Sequence, residues 1–200
     1  MPMAPQPLGR RERNKQAKLE RIIAAAGELF AEHGIDEVTT QQIADKADIG
    51  TGTLFLYAKT KGELLLLVQN AHYATALDRG RTAAAGAQST LDRVLALVAP
   101  IVECNRVQVD NGRTYLREMV FGEPTEPHHA EALSIVRRTE QAIADILTQH
   151  AEIDEPDAST LARVISAVLF LSMASSADAA TSAAEIVASI RTQVAVILPR

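Results

Sequence analysis

The sequence predicts an all-helical protein of about nine helices. Alanine and leucine are abundant and only 4% of the residues are aromatic, a composition that suits helices more than sheets. Apolar residues recur at spacings of three and four, which is the period of an amphipathic helix. Breaks rich in Gly, Pro and Asp at 110–112, 122–127 and 154–160 separate these periodic stretches, and no convincing strand lies between them.

The first four helices have local signals at their ends. Helix one is predicted over 13–33, because Gly34 is a natural C-terminal stop. Thr39 and Gln42 form the sequence pattern of a capping box, so helix two is predicted over 40–47 and a short helix three over 51–57. Helix four begins near Lys61 after a second capping-box pattern, Thr60 to Glu63, and runs to about Arg79. The remaining helices are predicted over 89–107, 112–121, 127–150, 158–177 and 182–197.

Charge and cysteine content set limits on the function. The net charge is −5, which does not by itself favour nucleic-acid binding, but the stretch from Arg10 to Arg21 holds six basic residues against two acidic ones. The single cysteine, Cys104, excludes an intrachain disulfide, which fits a cytoplasmic location. The longest apolar run, Val164 to Ala174, is expected to be too short to span a bilayer, so no membrane partner is expected.

The stretch VTTQQIADKADIGTGTLFLYAKTKGELL, from Val38 to Leu65, predicts a helix-turn-helix. The second helix of such a unit enters the major groove of DNA, so it must be slim and must offer hydrogen-bonding groups at its start. Gly52 would let the backbone approach closely, while Thr51 and Thr53 can bond base edges or phosphates. Asp48 falls in the turn, where Asn, Asp or Gly best tolerate left-handed backbone geometry.

These residues resemble the TetR family of transcriptional repressors, over about Lys15–Leu67. The family pattern has an Ile/Ala-rich first helix ending LF…G, followed by T-T-x-x-I-A-x-x-A-G-V-S-x-G-T-L-Y-x-H-F-x-x-K-x-x-L. In this sequence the second part stands, without a gap, as Thr39, Thr40, Ile43, Ala44, Ala47, Asp48, Ile49, Gly50, Gly52, Thr53, Leu54, Phe55, Tyr57, Ala58, Lys61 and Leu64.

Several positions depart from that pattern. Asp48 stands at the usual Gly and Gly50 at the usual Ser, while Phe55 replaces a Tyr, Tyr57 replaces a His and Ala58 replaces a Phe. Phe55 lacks the phenolic hydroxyl, so one phosphate contact of the family is in question, and Tyr57 is the expected replacement. These changes are expected to alter which operator is bound rather than whether the fold forms.

The resemblance implies a set of DNA contacts: Thr40, Gln41, Thr51, Gly52, Thr53, Tyr57 and Lys61. The first two residues lie at the start of helix two and should bind phosphate, or in the second case a base edge. The next three should face bases, and the last two should hold phosphates on either side of the groove. Arg11, Arg13 and Lys15 would add to binding; the alternative is that they form only a solvated helix start.

The resemblance also implies the domain organisation. A disordered tail is expected over 1–12, the DNA-binding domain over 13–60, and an all-helical ligand-binding and dimerisation domain over 61–200. The last two helices have broad apolar faces with small residues, so they are expected to form a four-helix interface in a homodimer. The alternative is packing within one monomer. Such a dimer would bind a palindromic operator in double-stranded DNA with half-sites ~34–36 Å apart, and an effector that shifts helix four would release it.

The expected effector is a hydrophobic small molecule in a mostly aliphatic pocket. The predicted ligand-binding residues are Tyr73, Glu103, Cys104, Tyr115, Met119, Phe121, Phe170 and Met173, with Leu133 as a further wall residue and Asn105 or Arg117 as alternative polar anchors. Methionines and aromatic residues at helical spacing also occur as plain core residues, which is the alternative for each of them.

Two other classes of function compete with this prediction: a helical protein that binds small molecules but not DNA, and an enzyme. His128 and His129 are adjacent, so they project in different directions from a helix and make a poor chelating pair; they are interpreted as surface or loop histidines. Cys104 lacks the local signature of a nucleophile, and GTGT does not follow a predicted strand, so no phosphate loop is indicated. No catalytic residue, metal or cofactor is expected.

Overall fold

The computed structural model describes residues 9–176, 178 and 180–198. Over these residues the chain forms nine helices and no strand, so the all-helical prediction is confirmed. The helices are α1 (Arg10–Glu37), α2 (Thr40–Lys46), α3 (Thr51–Leu54), α4 (Lys61–Ala85), α5 (Thr90–Arg106), α6 (Val109–Phe121), α7 (Pro127–His150), α8 (Glu155–Ser175) and α9 (Ala183–Ile197). Residues 1–8 of the predicted tail lie outside the described residues, and α1 already begins at Arg10.

The local end signals are confirmed at α1 and α2. Gly34 has φ 76° and interrupts α1, a backbone conformation that glycine adopts without strain; three further residues follow before the helix ends. The Thr39 side chain accepts from the Gln42 N–H, and the Gln42 side chain accepts in return, so the capping box is complete. At α4 only half of the predicted box forms, because the Glu63 carboxylate accepts from the backbone of α7 instead.

The predicted C-terminal ends of helices three and four were wrong, and helices one, six and eight each begin three residues earlier than predicted. Helix three ends at Leu54 rather than at 57, because the chain enters a turn there. Helix four continues through Gly80 to Ala85. A Cβ atom at Gly80 would lie 2.0 Å from the carbonyl oxygen of Leu97, so this glycine lets α4 and α5 pack backbone to backbone and does not end the helix.

The helices form two parts, which we call the head (α1–α3) and the body (α4–α9). In the head, α1 packs on α2 and α4, and the buried side chains of Ile22, Phe30, Ile43 and Leu54 form its core. Helix α4 links the parts, since it packs against α1 on one side and against α5, α6 and α7 on the other. One hydrophobic core runs through both parts.

Helix α8 corrects one expectation. By length and composition alone it is apolar enough to cross a membrane, with a mean hydropathy of 1.5 over an 18-residue window, so the expectation that the apolar run in this region is too short was wrong. Only 28% of that window is buried within the protomer. The exposed apolar side chains on α8 and α9 include Val164, Leu171 and Val196.

Candidate functional site

The turn between α2 and α3 has the predicted backbone geometry. Asp48 adopts φ 52°, so the left-handed conformation expected at this position is confirmed. Arg21 of α1 stabilises the turn from outside, because its guanidinium donates to the Asp48 carboxylate at 3.1 Å and to the Asp48 carbonyl at 3.4 Å. No local sequence pattern indicates this contact, because Arg21 lies 27 residues from Asp48.

A short chain of hydrogen bonds joins α2 to α3 on the exposed side of the head. The Thr51 hydroxyl donates to the Gln41 side-chain oxygen at 2.7 Å, and the Gln41 amide donates to the Asp45 carboxylate at 2.7 Å. The starts of the two helices are therefore close together. Five of the predicted DNA contacts lie there, all exposed or half-buried: Thr40, Gln41, Thr51, Gly52 and Thr53.

The glycines at the start of α3 are not required by the fold. A Cβ atom built at Gly50 or Gly52 would meet no heavy atom within 4 Å, and both residues have negative φ. By contrast, the Cβ atom of Gly80 would collide with a backbone carbonyl. The described part of the chain therefore gives no steric reason for the smallness of the α3 surface.

The two remaining predicted DNA contacts already bond to the head in the free protein. The Tyr57 hydroxyl donates to the Lys15 carbonyl at 3.3 Å. The Lys61 ammonium donates to the carbonyls of Asp36 and Val38 at 3.2 and 3.1 Å, where it caps the end of α1. Both side chains are half-buried, so they hold α1 to the segments around it.

The body contains a cavity of about 330 Å³ with an almost entirely apolar lining from α4, α5, α6, α7 and α8. It brings together six of the side chains that the sequence suggested: Tyr73, Tyr115, Met119, Leu133, Phe170 and Met173. The other lining residues were not predicted from the sequence: Ile101, Leu116, Val120, Ala132, Ile135, Val136, Thr139, Glu140, Arg163, Ser166, Ala167 and Leu169. Most of them are aliphatic residues, whose helical spacing does not distinguish a cavity wall from ordinary core.

Three of the predicted ligand-binding residues do not line this cavity. Glu103 is exposed and pairs with Arg79 at 3.1 Å. Phe121 is the last residue of α6 and its side chain is 82% exposed. Cys104 packs against the core, where burial raises the pKa of its thiol to about 11.

The alternative polar anchors also lie outside the cavity lining. Arg117 is exposed and pairs with Glu118 at 3.3 Å. Asn105 is buried, and its side-chain amide donates to the Tyr73 hydroxyl at 3.0 Å. Asn105 therefore contacts a residue of the cavity wall, Tyr73, without lining the cavity itself.

Two tyrosines form a polar feature in the apolar wall. The rings of Tyr73 and Tyr115 stack with their centroids 4.2 Å apart, and both are buried. Desolvation raises the pKa of each hydroxyl, so both stay protonated at neutral pH. The Tyr115 hydroxyl donates to the Asn70 side-chain oxygen at 2.9 Å.

The histidines at the start of α7 correct another prediction. His129 is only 4% exposed, so its interpretation as a surface or loop residue was wrong. Its ring lies against Gly122, and within the described part of the chain neither ring nitrogen has a hydrogen-bond partner. No group of three or more metal-binding side chains occurs among the described residues.

The sequence and the fold both match known proteins. Residues 22–68 match the family model described as bacterial regulatory proteins, tetR family. A curated relative, the fatty acid metabolism regulator protein of Bacillus subtilis strain 168, is 37% identical over 54 residues. That match covers 27% of this chain and 28% of the relative, so it spans little more than a quarter of either protein.

Solved structures extend the likeness to the whole fold. FadR of Thermus thermophilus, described as a TetR-family transcriptional repressor in complex with lauroyl-CoA, has a TM-score of 0.71 at 23% identity, covering 91% of this chain and 96% of that one. FadR of Bacillus subtilis, in complex with stearoyl-CoA, has a TM-score of 0.66 at 18% identity, covering 88% and 96%. At these identities the likeness establishes the fold.

Proposed function

We propose that this chain, whose residues 22–68 belong to the TetR family of bacterial regulatory proteins, is a cytoplasmic, ligand-responsive transcriptional repressor. The observation that carries the proposal is the surface at the start of α3. It is slim and polar, and it contains a glycine, Gly52, for which the chain itself gives no steric reason. A close-fitting partner outside the chain supplies that reason, and the major groove of DNA requires a slim helix.

The proposed DNA contacts fall into two groups. Thr40 and Gln41 at the start of α2 bind the backbone, while Thr51, Gly52 and Thr53 face base edges. Tyr57 and Lys61 flank this surface. The Tyr57 hydroxyl has to exchange its bond to a backbone carbonyl for a phosphate oxygen, whereas the Lys61 ammonium bonds two carbonyls and keeps a third N–H for a phosphate. Gln41 bonds Thr51 and Asp45 and still has one amide N–H for DNA.

The proposed assembly is a homodimer through α8 and α9. Support comes from the exposed apolar side chains on these helices, among them Leu171, which is 63% exposed in the protomer. A two-fold dimer places two copies of α3 on half-sites ~34–36 Å apart, so the operator is expected to be a palindrome.

The proposed effector is a fatty acyl thioester of coenzyme A. The almost entirely apolar lining of the cavity suits an acyl chain. Thr139, Glu140, Arg163 and Ser166 are the polar exceptions, and they are half-buried or exposed except for Thr139. Two of the similar structures are complexes with lauroyl-CoA and stearoyl-CoA. Such a ligand releases DNA only to the extent that it binds the non-DNA-binding conformation more tightly. Free and liganded dimers with the same head separation would contradict this mechanism.

The first experiment is selection of the purified protein against a random duplex DNA library at fixed, near-physiological salt, because phosphate contacts make the affinity salt-dependent. The expected result is an enriched palindrome whose complex dissociates on addition of lauroyl-CoA. The variant Thr53→Val removes a hydroxyl from α3 at nearly constant volume and should weaken or alter the sequence preference while the protein stays folded. An unchanged preference would contradict the assignment of α3.

A second candidate function is a helical binding protein for acyl compounds that does not bind DNA. The bond from the Tyr57 hydroxyl to the Lys15 carbonyl favours it, because the hydroxyl proton expected to bind a phosphate is engaged in the free protein. A folded dimer that binds lauroyl-CoA but enriches no DNA sequence, with or without the ligand, would support this alternative against the repressor.

A further inference from the structure

A chain of buried polar contacts runs from the cavity to the head. It starts at Tyr115, whose ring lines the cavity and whose hydroxyl donates to the Asn70 oxygen at 2.9 Å. Tyr115 is 3% exposed and Asn70 is 1% exposed, so water does not replace this bond easily. A displacement of the Tyr115 ring by a ligand therefore has to move Asn70 or leave its oxygen without a partner.

Asn70 also forms hydrogen bonds to α7. Its amide donates to the carbonyl of His128 at 2.9 Å and to the Glu131 carboxylate at 3.4 Å. Both acceptors lie in the first turns of α7. The Asn70 oxygen thus bonds Tyr115 at the cavity, and the Asn70 nitrogen bonds the start of α7. Asn70 therefore fixes the position of Tyr115 relative to α7.

His128 connects α7 to the head by two further bonds. Its backbone N–H donates to the Glu63 carboxylate at 3.0 Å, in the first turn of α4. Its ring Nε2 lies 3.1 Å from the carbonyl oxygen of Tyr57, a hydrogen bond when that nitrogen carries the proton. Tyr57 lies three residues after the end of α3, and its hydroxyl donates to the Lys15 carbonyl of α1. His128 therefore contacts both the start of α4 and the segment after the proposed DNA-reading helix.

We propose that Tyr115, Asn70 and His128, which we call the relay, transmit effector binding in the cavity to the head. This inference rests on the proposed function and specifies how its regulation works. An effector that presses on the Tyr115 ring moves its hydroxyl. Asn70 follows because its side-chain oxygen is buried and has no second partner in the described part of the chain, and the start of α7, which the Asn70 amide bonds, shifts against Tyr57. Asn70 and His128 are positioning residues, since Tyr115 alone of the three lines the cavity.

The stacked tyrosines provide a matched pair of variants. Tyr115→Phe removes the hydroxyl that bonds Asn70, and Tyr73→Phe removes the hydroxyl that accepts from Asn105, outside the relay. Both variants keep the ring that lines the cavity, and both remove a hydroxyl that is bonded in a buried site. A general effect of losing such a hydroxyl would therefore appear in both.

The readout is the ratio of the operator Kd with saturating lauroyl-CoA to the Kd without it, because this ratio measures coupling rather than ligand affinity. The expected ratio for the wild type is on the order of 5- to 150-fold. Tyr115→Phe should bring the ratio close to one while lauroyl-CoA still binds, and Tyr73→Phe, measured at its own saturating lauroyl-CoA concentration, should retain a clearly higher ratio than Tyr115→Phe. A wild-type ratio in Tyr115→Phe, or an equal loss in both variants, would overturn the relay.

Glu63 offers a second pair. Glu63→Gln keeps an acceptor oxygen for the His128 N–H and should preserve the ratio, whereas Glu63→Ala removes the acceptor and should lower it. If Glu63→Ala keeps the wild-type ratio, the step from α7 to α4 is not part of the relay.

Failure of the relay can be told apart from failure of the proposed function. A wild-type protein that binds no operator, or does not release it, contradicts the function whatever the variants do. In that case hydrogen exchange of the ligand-free protein still tests the relay: the His128 amide should exchange faster in Tyr115→Phe than in Tyr73→Phe. Equal exchange of that amide in the two variants would overturn it.

Discussion

Replacing Gly52 with alanine tests the DNA-reading surface without disturbing the fold. The new methyl group would meet no heavy atom within 4 Å in the free protein. Alanine also loses less backbone entropy than glycine on forming a helix, so the free energy of unfolding should stay the same or rise by up to ~1 kcal/mol. In the complex, the methyl group would stand between α3 and the base edges. Overpacking of a tight interface costs roughly 1–3 kcal/mol, which is about a 5- to 150-fold weaker operator affinity.

The matched control is Gly86→Ala at the end of α4. Its Cβ would lie 3.8 Å from the Ala83 carbonyl oxygen, an ordinary contact far along the body from α3. Thermal unfolding and fluorescence anisotropy with a labelled operator give both quantities for each variant. Gly52→Ala with wild-type stability and wild-type affinity would refute the reasoning, because the glycine would then have no steric role in either state. A loss of stability in Gly52→Ala would show that the helix start is not open.

Three further outcomes are expected. Leu171→Glu places a charge on the exposed apolar face of α8, so sedimentation should show dissociation of the dimer, whereas an unchanged dimer would place the interface elsewhere. Gly80→Ala should lower the free energy of unfolding by about 1–3 kcal/mol, because its Cβ meets the Leu97 carbonyl, and a denaturant midpoint like that of the wild type would contradict this packing. Burial raises the pKa of Cys104 from 9.0 to about 11, so at pH 8 its alkylation should be roughly 100-fold slower than in the unfolded chain. The stability that the protonated thiol contributes below pH 9 should be lost as the pH rises through about 11. Equal alkylation rates would mean that the thiol is exposed.

The head could be predicted from the sequence because its signals are local. A capping box needs a side chain and a backbone amide three residues apart, so Thr39 and Gln42 are recognisable without any knowledge of packing. The left-handed backbone at Asp48 follows from the turn between two adjacent helices in the same way. The Arg21 side chain that stabilises this turn comes from 27 residues away, and no short-range pattern contains that information.

The attachment of the body to α1 is a long-range feature that no local pattern predicts. The amide of Asn111, on α6, donates to the Phe30 carbonyl at 2.7 Å and accepts from the Ile35 N–H at 2.8 Å. These backbone groups lose their helical partners where Gly34 interrupts α1. The sequence signals the interruption, but the residue that satisfies the exposed groups lies 76 to 81 positions later.

The cavity was predicted only in part because helical spacing shows which residues share one face of a helix. It does not show whether that face lines a cavity, packs in the core or is exposed. Met119 and Phe121 are two apolar residues at the end of α6, yet one lines the cavity and the other is 82% exposed. The difference arises because two residues along a helix correspond to a rotation of about 200°, and only the packing of α7 and α8 fixes which side is interior. A single helix therefore cannot identify the pocket.

Three glycines that look alike in the sequence are shown by the structure to be there for different reasons. Gly34 is required by its own backbone, since its φ is 76°. Gly80 is required by a neighbouring helix, whose Leu97 carbonyl occupies the space of a side chain. Gly52 satisfies neither condition, because its φ is negative and the space around it is open. A helix-weakening residue with no intramolecular role, at the start of an exposed four-residue helix, is best explained by a surface that comes close to it from outside.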